Sequence, residues 1–500
     1  MNAHELPILL DRASELPLAA QLATALRRAI LGGILRHDEA LPSTRALAAS
    51  VRVSRGTVVA AYDQLTGEGY LLARPGSATR VMVERPDAVA APAAPARTAD
   101  GDARSPRDRT PPPLIDLAPG HPSTRTLVDP AWTGAWRTAV AASGRSDSPP
   151  PSGTLELRTA IAEHVRRARG LTCRPDDVIV TAGTSDALAG IGLALATMAH
   201  VTAGARTPAD APGIPSSPAP VEAPRRAPQI AVEDPGYPTA RRVLRRVGAL
   251  LAPVRTDQDG IDLAELAALN PAPHAVLVTP SHQYPLGNSL SVQGRLDLLD
   301  WARTAEAVVI EDDYDSEFRF GTSPLPALAT LDASGRVALV GSFSKTITPW
   351  IRCAYIVATG DLGAALREVR DDLGPSVSGV QQAALAHYLA SGGLARNVAR
   401  VRREYAHRRA LVIGKLGALP GVRLAGLDGG LHVVVHTGAD ASALVERAAA
   451  RGVRVASLAD YAVRGRNQHG LVLGYGAPTD LELARALDVL VGLLLEPTAN

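Results

Sequence analysis

The chain has 500 residues, 46% apolar and 20% charged, with a formal net charge of +2. That length exceeds one ordinary core and implies two or three domains, and the apolar share excludes a disordered chain. A near-neutral balance excludes a global basic field, so any contact with nucleic acid has to be local.

Cys173 and Cys353 are too few and too far apart for a disulfide framework, which fits a reducing compartment. The opening MNAHELPILLDR lacks the basic start and apolar core of a signal peptide. No uninterrupted run of about 18 apolar residues occurs, so no membrane span is expected. These features point to the cytoplasm.

In chain order, LPLAAQLATALRRAIL at 16–31 carries apolar residues at helical spacing, Leu18, Leu22, Ala25, Leu26, Ala29 and Ile30, and Gly32 and Gly33 end it. Ser43 is placed to cap a short helix that turns Leu47 and Ala48 inward. A turn at Val51–Val53 follows, then a second cap, Ser54, on a helix burying Val58, Ala61, Tyr62 and Leu65. YLLARPGSATRVMV reads as a hairpin with a Pro-Gly tip. Three helices and a hairpin, with a helix–turn–helix step inside, form an α+β winged helix-turn-helix.

In that layout the second helix of the step enters the major groove by its N-terminal residues, Ser54, Arg55, Gly56 and Thr57. Arg45 and Arg52 stand beside them, and Arg74, Gly76 and Ser77 form the wing. Arginines and small polar residues suit phosphate positioning and guanine contact. The stretch from QLATALRRAILGGIL through LPSTRALAASVRVSRGTVVAAYDQLTGEGYL closely resembles the DNA-binding domain of the GntR regulators. The resemblance implies double-stranded DNA as a partner. His37-Asp38 departs from it, standing where that family usually has a Pro-Gly or similar turn.

From 84 to 113 the composition turns to Ala, Pro, Asp, Arg and Thr without apolar periodicity, which reads as a linker. It separates a domain over 1–83 from one over 114–500. A Pro/Ala/Gly stretch at 203–228 reads as a disordered insertion in the larger domain.

That domain alternates apolar strands such as DVIVTAG, QIAVEDPGY, HAVLVTPSH, AVVIEDDYDSEF and RVALVGSFSK with helical segments. The rhythm predicts an α/β fold with a mainly parallel sheet, whose ligands bind beyond the carboxyl ends of the strands. The chain has only two lysines, Lys345 and Lys415, and uses arginine elsewhere. A lysine amine can lose its proton and form a Schiff base, which a guanidinium cannot. Lys345 has the company that pyridoxal 5'-phosphate requires: Asp312 at a strand end for the ring nitrogen, and in TAGTSDALAG a strand that ends in glycine and opens a helix whose N-terminal amides can hold a phosphate. Asp313 and Asp315 read as an acidic turn, and the histidines show no metal-ligand spacing. No metal is expected.

EDPGY, TPSHQYPLG, EDDYDSEF and GSFSKTITPWIRCAY, in this order, are similar to motifs of the MocR subfamily of GntR-type regulators. In that subfamily a winged helix-turn-helix is fused to a fold type I aminotransferase-like domain. The resemblance implies a pyridoxal phosphate lysine at Lys345 and Asp312 on the ring nitrogen. It puts Tyr314 on the ring hydroxyl and Tyr237 on the ring face. Gly183, Thr184, Ser185, Ser342 and Arg352 would hold the phosphate, with His282 and Tyr284 near the cofactor. It also implies a head-to-tail homodimer.

Two departures stand out. Ser185-Asp186 occupy a position where the phosphate loop usually has glutamine-like residues, so Asp186 has to point away. Val472 stands where aminotransferases commonly carry the arginine that grips a substrate carboxylate. The expected function is a DNA-binding regulator that senses an amine, or pyridoxal phosphate itself, through Lys345. The alternatives are a working aminotransferase with a fused DNA-binding domain and a dimerisation domain that has lost its cofactor.

Overall fold

The computed structural model describes residues 8, 10–12, 17–31, 34–68, 70–72, 78–82, 114–144, 146–204, 227–257, 259–320, 326–438, 441–465 and 469–496. These form two compact units. One draws on 1–116, 448–454 and 478–492, and the other on 117–447, 455–477 and 493–500. The linker expected at 84–113 and nearly all of the insertion expected at 203–228 lie outside the described residues.

In the first unit, helices α1 (Leu18–Leu31), α2 (Thr44–Ser50) and α3 (Arg55–Gly67) precede strands β1 (Leu71–Leu72) and β2 (Arg80–Val81), which pair antiparallel. Both expected caps form. The Ser43 side chain accepts from the Ala46 amide, and that of Ser54 from the Thr57 amide at 3.1 Å. Each such cap is worth about 1 kcal/mol. Leu22, Leu26, Ile30, Leu47, Val58, Ala61, Leu65 and Val81 close one apolar cluster, so the helical spacing read from the sequence is the spacing of the core. The tip at 73–77 lies outside the described residues. At the His37-Asp38 departure, Asp38 takes φ +60°, and the Arg80 guanidinium donates to its carbonyl at 2.6 Å. The missing glycine is thus replaced by a strained aspartate tied to the hairpin. Strand β3 (Ile115–Asp116) pairs parallel with Val453–Arg454.

In the second unit, α4 (Pro130–Ala141) and α5 (Leu155–Arg169) lead into β4 (Val178–Thr181), α6 (Thr184–Gly204), β5 (Gln229–Asp234) and α7 (Pro238–Arg246). Then come β6 (Leu250–Asp257), β7 (Gly260–Ile261), α8 (Leu263–Ala267), β8 (Ala275–Val278), α9 (Val292–Thr304), β9 (Val308–Asp313), β10 (Val337–Ser342) and β11 (Ala354–Val357). The sheet order is β4-β11-β10-β9-β8-β5-β6-β7. Only β11 and the edge strand β7 run against the rest. Apolar side chains cover both faces, Leu157, Ile161 and Val180 on one and Leu188, Leu244 and Ile310 on the other. Burial on both sides is why these strands read as continuous apolar runs instead of alternating ones.

Helices α10 (Gly360–Leu373), α11 (Gly379–Ala390) and α12 (Gly393–Leu416) follow. After them come β12 (Arg423–Ala425), β13 (His432–His436), α13 (Ser442–Ala450), β14 (Val453–Arg454), β15 (Ala456–Ser457), β16 (Gly470–Gly474) and α14 (Asp480–Leu495). Strands β12, β13, β16 and β15 form a second, antiparallel sheet that the sequence rhythm did not signal. No helix among the described residues is long and apolar enough to cross a membrane.

Candidate functional site

The carboxyl ends of β4, β5, β8, β9 and β10 open on a pocket of about 310 Å³ lined by Thr184, Ser185, Tyr237, Tyr284, Asp312, Tyr314, Ser342, Lys345 and Arg352, among others. Parallel strand direction brings these residues together from positions 168 apart in sequence. Each strand delivers its last residue, or the turn after it, to the same edge of the sheet.

Lys345 follows β10. Its ammonium donates to the Gly120 carbonyl at 2.5 Å. Burial lowers its pKa below the usual lysine value, and Asp315 and Asp312 only partly oppose that effect. Gly120 was not foreseen. Its φ of +91° suits glycine, and a Cβ there would stand 3.1 Å from the lysine nitrogen. A side chain at 120 therefore carries backbone strain of about 1–3 kcal/mol and crowds the amine. Gly120→Val is expected to cut trapping of the Lys345 amine by a small aldehyde and borohydride at least tenfold, read by peptide mass, with the circular dichroism of the fold retained. Undiminished trapping would contradict the placement.

Asp312 lies in β9 opposite Val340 of β10 and is 5% exposed. Its Oδ1 is buried without a hydrogen-bond partner among the described residues. Burial, then the neighbouring Asp313, raise its pKa to about 7, against the pull of Lys345. Between about pH 4 and 7 the native state thus holds a proton that the unfolded chain has released, so its contribution to stability falls as pH rises through that window. Asparagine carries no such dependence. For cofactor-free protein, the Tm of Asp312→Asn minus that of the unsubstituted chain is expected to rise from pH 5 to pH 8. A constant difference would contradict the buried-charge argument.

At the other end of the pocket, Gly183 opens α6 with φ +95°, and the Arg352 guanidinium lies 3.3 Å from where its Cβ would stand. Arg352 itself takes φ +41°. With Thr184, Ser185 and Ser342 this is a cationic helix N-terminus suited to a phosphate. Asp186 does point away: its carboxylate accepts from the Ala182 amide at 2.9 Å and pairs with Arg370 at 3.2 Å. Tyr237 begins α7, with its ring edge-on to Tyr284 at 5.7 Å. Tyr284 also meets Tyr314, His432 and Tyr461 at 5.2–5.5 Å.

The acidic turn is corrected. Asp313 and Asp315 are inward-facing: Asp313 pairs with the buried Arg169, and Asp315 lies 3.0 Å from His282 Nδ1. His282, Asp315 and His432 bring their donor atoms within 4.8 Å of one another, although the histidines are 150 positions apart and show no ligand spacing in sequence.

Val472 is fully buried in β16, among Leu286, Val434, Leu458 and Tyr461. The guanidinium of Arg464, a few residues before β16, is engaged with Glu265 at 2.7 Å and with Asp234, and Arg466 lies outside the described residues.

Residues 18–81 match the family of bacterial regulatory proteins known as the gntR family, and residues 223–470 match aminotransferase class I and II. The pyridoxine biosynthesis transcriptional regulator PdxR of Corynebacterium glutamicum is 39% identical over 476 residues, 95% of each chain. The probable rhizopine catabolism regulatory protein MocR of Rhizobium meliloti is 34% identical over 482 residues, covering 94% of this chain and 92% of its own.

The chain belongs to the MocR subfamily of GntR-type regulators. It is a transcriptional regulator with an aminotransferase-like domain. An archaeal alanine:glyoxylate aminotransferase superposes with a TM-score of 0.65 at 21% identity, over 77% of this chain and 91% of its own, which establishes the fold of the larger part.

In this MocR-type chain the candidate DNA face is open. Arg45, Arg52, Ser54, Arg55 and Gly56 are exposed and Thr57 is half-buried. The Ser54 and Thr57 hydroxyls bond each other at 2.8 Å, and Arg55 Nε donates to Thr44 at 3.3 Å. These side chains are held at the start of α3, where unpaired amides and the helix dipole favour phosphate. Arg74, Gly76 and Ser77 lie outside the described residues.

Proposed function

We propose that this regulator holds pyridoxal 5'-phosphate at Lys345, and that occupancy of the pocket sets its affinity for DNA. The observation that carries the reading is the unpartnered Oδ1 of Asp312, buried in the pocket that also presents the Lys345 amine. A buried carboxylate oxygen without a donor costs roughly 1–3 kcal/mol or more, and a protonated ring nitrogen removes that cost. When bound, pyridoxal phosphate supplies an aldehyde carbon open to attack by an uncharged amine. The chain does the rest. Burial keeps the amine of Lys345 easier to deprotonate, Arg352 and the start of α6 take the phosphate, Tyr237 covers a ring face, and Tyr314 faces the ring hydroxyl.

Pyridoxal phosphate itself is the favoured effector. A carboxylate-bearing amine would need a guanidinium near position 472, which is filled by an apolar cluster. The name of the C. glutamicum relative, a regulator of pyridoxine biosynthesis, agrees with that choice. The same missing arginine counts against a working aminotransferase. To move a two-state switch from 1:99 to 99:1, the effector has to prefer one state by about 10⁴-fold. In this reading a winged domain over 1–83 is tethered by 84–113, and two chains pair head to tail.

The test is fluorescence anisotropy on DNA from upstream of the regulator's own gene, with and without pyridoxal phosphate. A change in Kd of at least about tenfold, a shift of about 1.4 kcal/mol, is expected. Identical binding curves would sink the sensing role.

A further inference from the structure

Beside the pocket, Tyr314 is joined to His282 and Asp315, two groups that cofactor binding as described above does not use. His282 and Asp315 are 3% and 2% exposed. Nδ1 of His282 lies 3.0 Å from Asp315 Oδ2 and 2.9 Å from the Tyr314 hydroxyl. The opposite nitrogen, Nε2, has no hydrogen-bond partner among the described residues and abuts the backbone at Gly287, 3.1 Å from where a Cβ there would stand.

That asymmetry selects the tautomer. A proton on Nε2 would be a buried donor with nothing to meet, and it would leave a bare Nδ1 facing the Asp315 carboxylate. A proton on Nδ1 is instead shared between that carboxylate and the tyrosine oxygen. With its oxygen already accepting, Tyr314 has to turn its own proton away from His282, toward the pocket that its side chain lines.

We propose that Asp315 and His282 are positioning residues that hold Tyr314 as a hydrogen-bond donor into the pocket, favouring a negatively charged ring oxygen on the group carried by Lys345. This rests on the cofactor reading above.

A metal is the competing use of these residues. His432 stands in the same cluster, but its Nε2 donates to the Pro285 carbonyl at 2.9 Å, while Nδ1 of His282 already bridges Tyr314 and Asp315. The hydrogen-bond chain accounts for both nitrogens without an ion.

The other titratable groups around the chain are Glu233 and Asp312 from β5 and β9, Tyr284 from the turn of His282, Lys345 after β10, His432 of β13 and Tyr475 after β16. Burial, then the neighbouring His282, push His432 down to about 4, so it stays neutral above pH 5. Burial holds Tyr284 and Tyr314 well above the ordinary tyrosine range. Glu233 and Asp312, both near 7, are present in every variant below and cancel in the comparison.

The test is a pH titration of the visible absorption band of cofactor-loaded protein. Stabilising a negative ring oxygen makes the neighbouring linkage easier to deprotonate, so removing the donor raises the pH at which the band is lost. His282→Leu is expected to raise the midpoint by about one pH unit, tenfold in the proton equilibrium. His282→Asn keeps an amide N–H close to the place of Nδ1 and is expected to recover most of that shift. In a Tyr314→Phe background, His282→Leu is expected to add nothing.

An unmoved midpoint in His282→Leu, or equal shifts in the Leu and Asn variants, overturns the proposal. If His282→Leu does not load, His282→Ala decides: an upward shift supports the chain and no shift overturns it. Loading is checked first by the borohydride-trapped mass on the Lys345 peptide. No trapped mass in the unsubstituted protein defeats the cofactor reading itself, whereas trapped mass with an unmoved midpoint defeats only the positioning role.

Discussion

Lys345→Arg is expected to bind DNA within about twofold of the unsubstituted regulator while losing its whole response to pyridoxal phosphate. Arginine keeps the positive charge and the approximate length of the side chain, so the fold and the contact with the Gly120 carbonyl are retained in kind. What is lost is the chemistry, because a guanidinium stays protonated and cannot condense with an aldehyde. If the effect on DNA is at least tenfold in the unsubstituted chain, the variant brings it to one. The check is a pair of anisotropy titrations, with and without the cofactor. A variant that still responds would show that sensing runs through non-covalent contacts alone, with Arg352 and Asp312 as the first places to look.

DNA affinity is expected to fall roughly a thousandfold or more between about 50 and 200 mM salt, if a paired form makes six to ten phosphate contacts. The net charge of +2 gives no long-range attraction, so the loss reports local contacts from Arg45, Arg52, Arg55 and the start of α3. Arg55→Ala separates two roles for that side chain. As a phosphate contact, its removal lowers the salt slope by about one and weakens all sequences alike. As a base contact, it costs about 1–3 kcal/mol on the operator only. An affinity indifferent to salt would contradict the placement of the DNA face.

Much of this was legible in the sequence because the deciding signals are local. Ser43 and Ser54 sit one residue before their helices, and a cap needs only that. Asp312 and Lys345 follow apolar runs, and a parallel sheet has to deliver such ends to one edge. The scarcity of lysine made position 345 conspicuous. What the sequence hid is joined only by tertiary structure. Gly120 meets Lys345 from 225 positions away, and His432 reaches His282 from another sheet. Tyr461 joins Tyr284 across 177 positions. Asp315 read as part of an acidic turn because no histidine or cysteine accompanies it in sequence, and only the fold brings the buried imidazole of His282 beside it. Asp186 was a repulsive charge in one dimension; in three, Arg370 holds it aside.

The central claim is that an aldehyde cofactor is carried on one particular amine, and the chain supplies its own control in Lys415, the other lysine. Incubation with pyridoxal phosphate, reduction with borohydride and peptide mass mapping should place one phosphopyridoxyl group per chain on the peptide containing Lys345, and none on that containing Lys415. Equal labelling of the two lysines, or no added mass on either, would contradict the account.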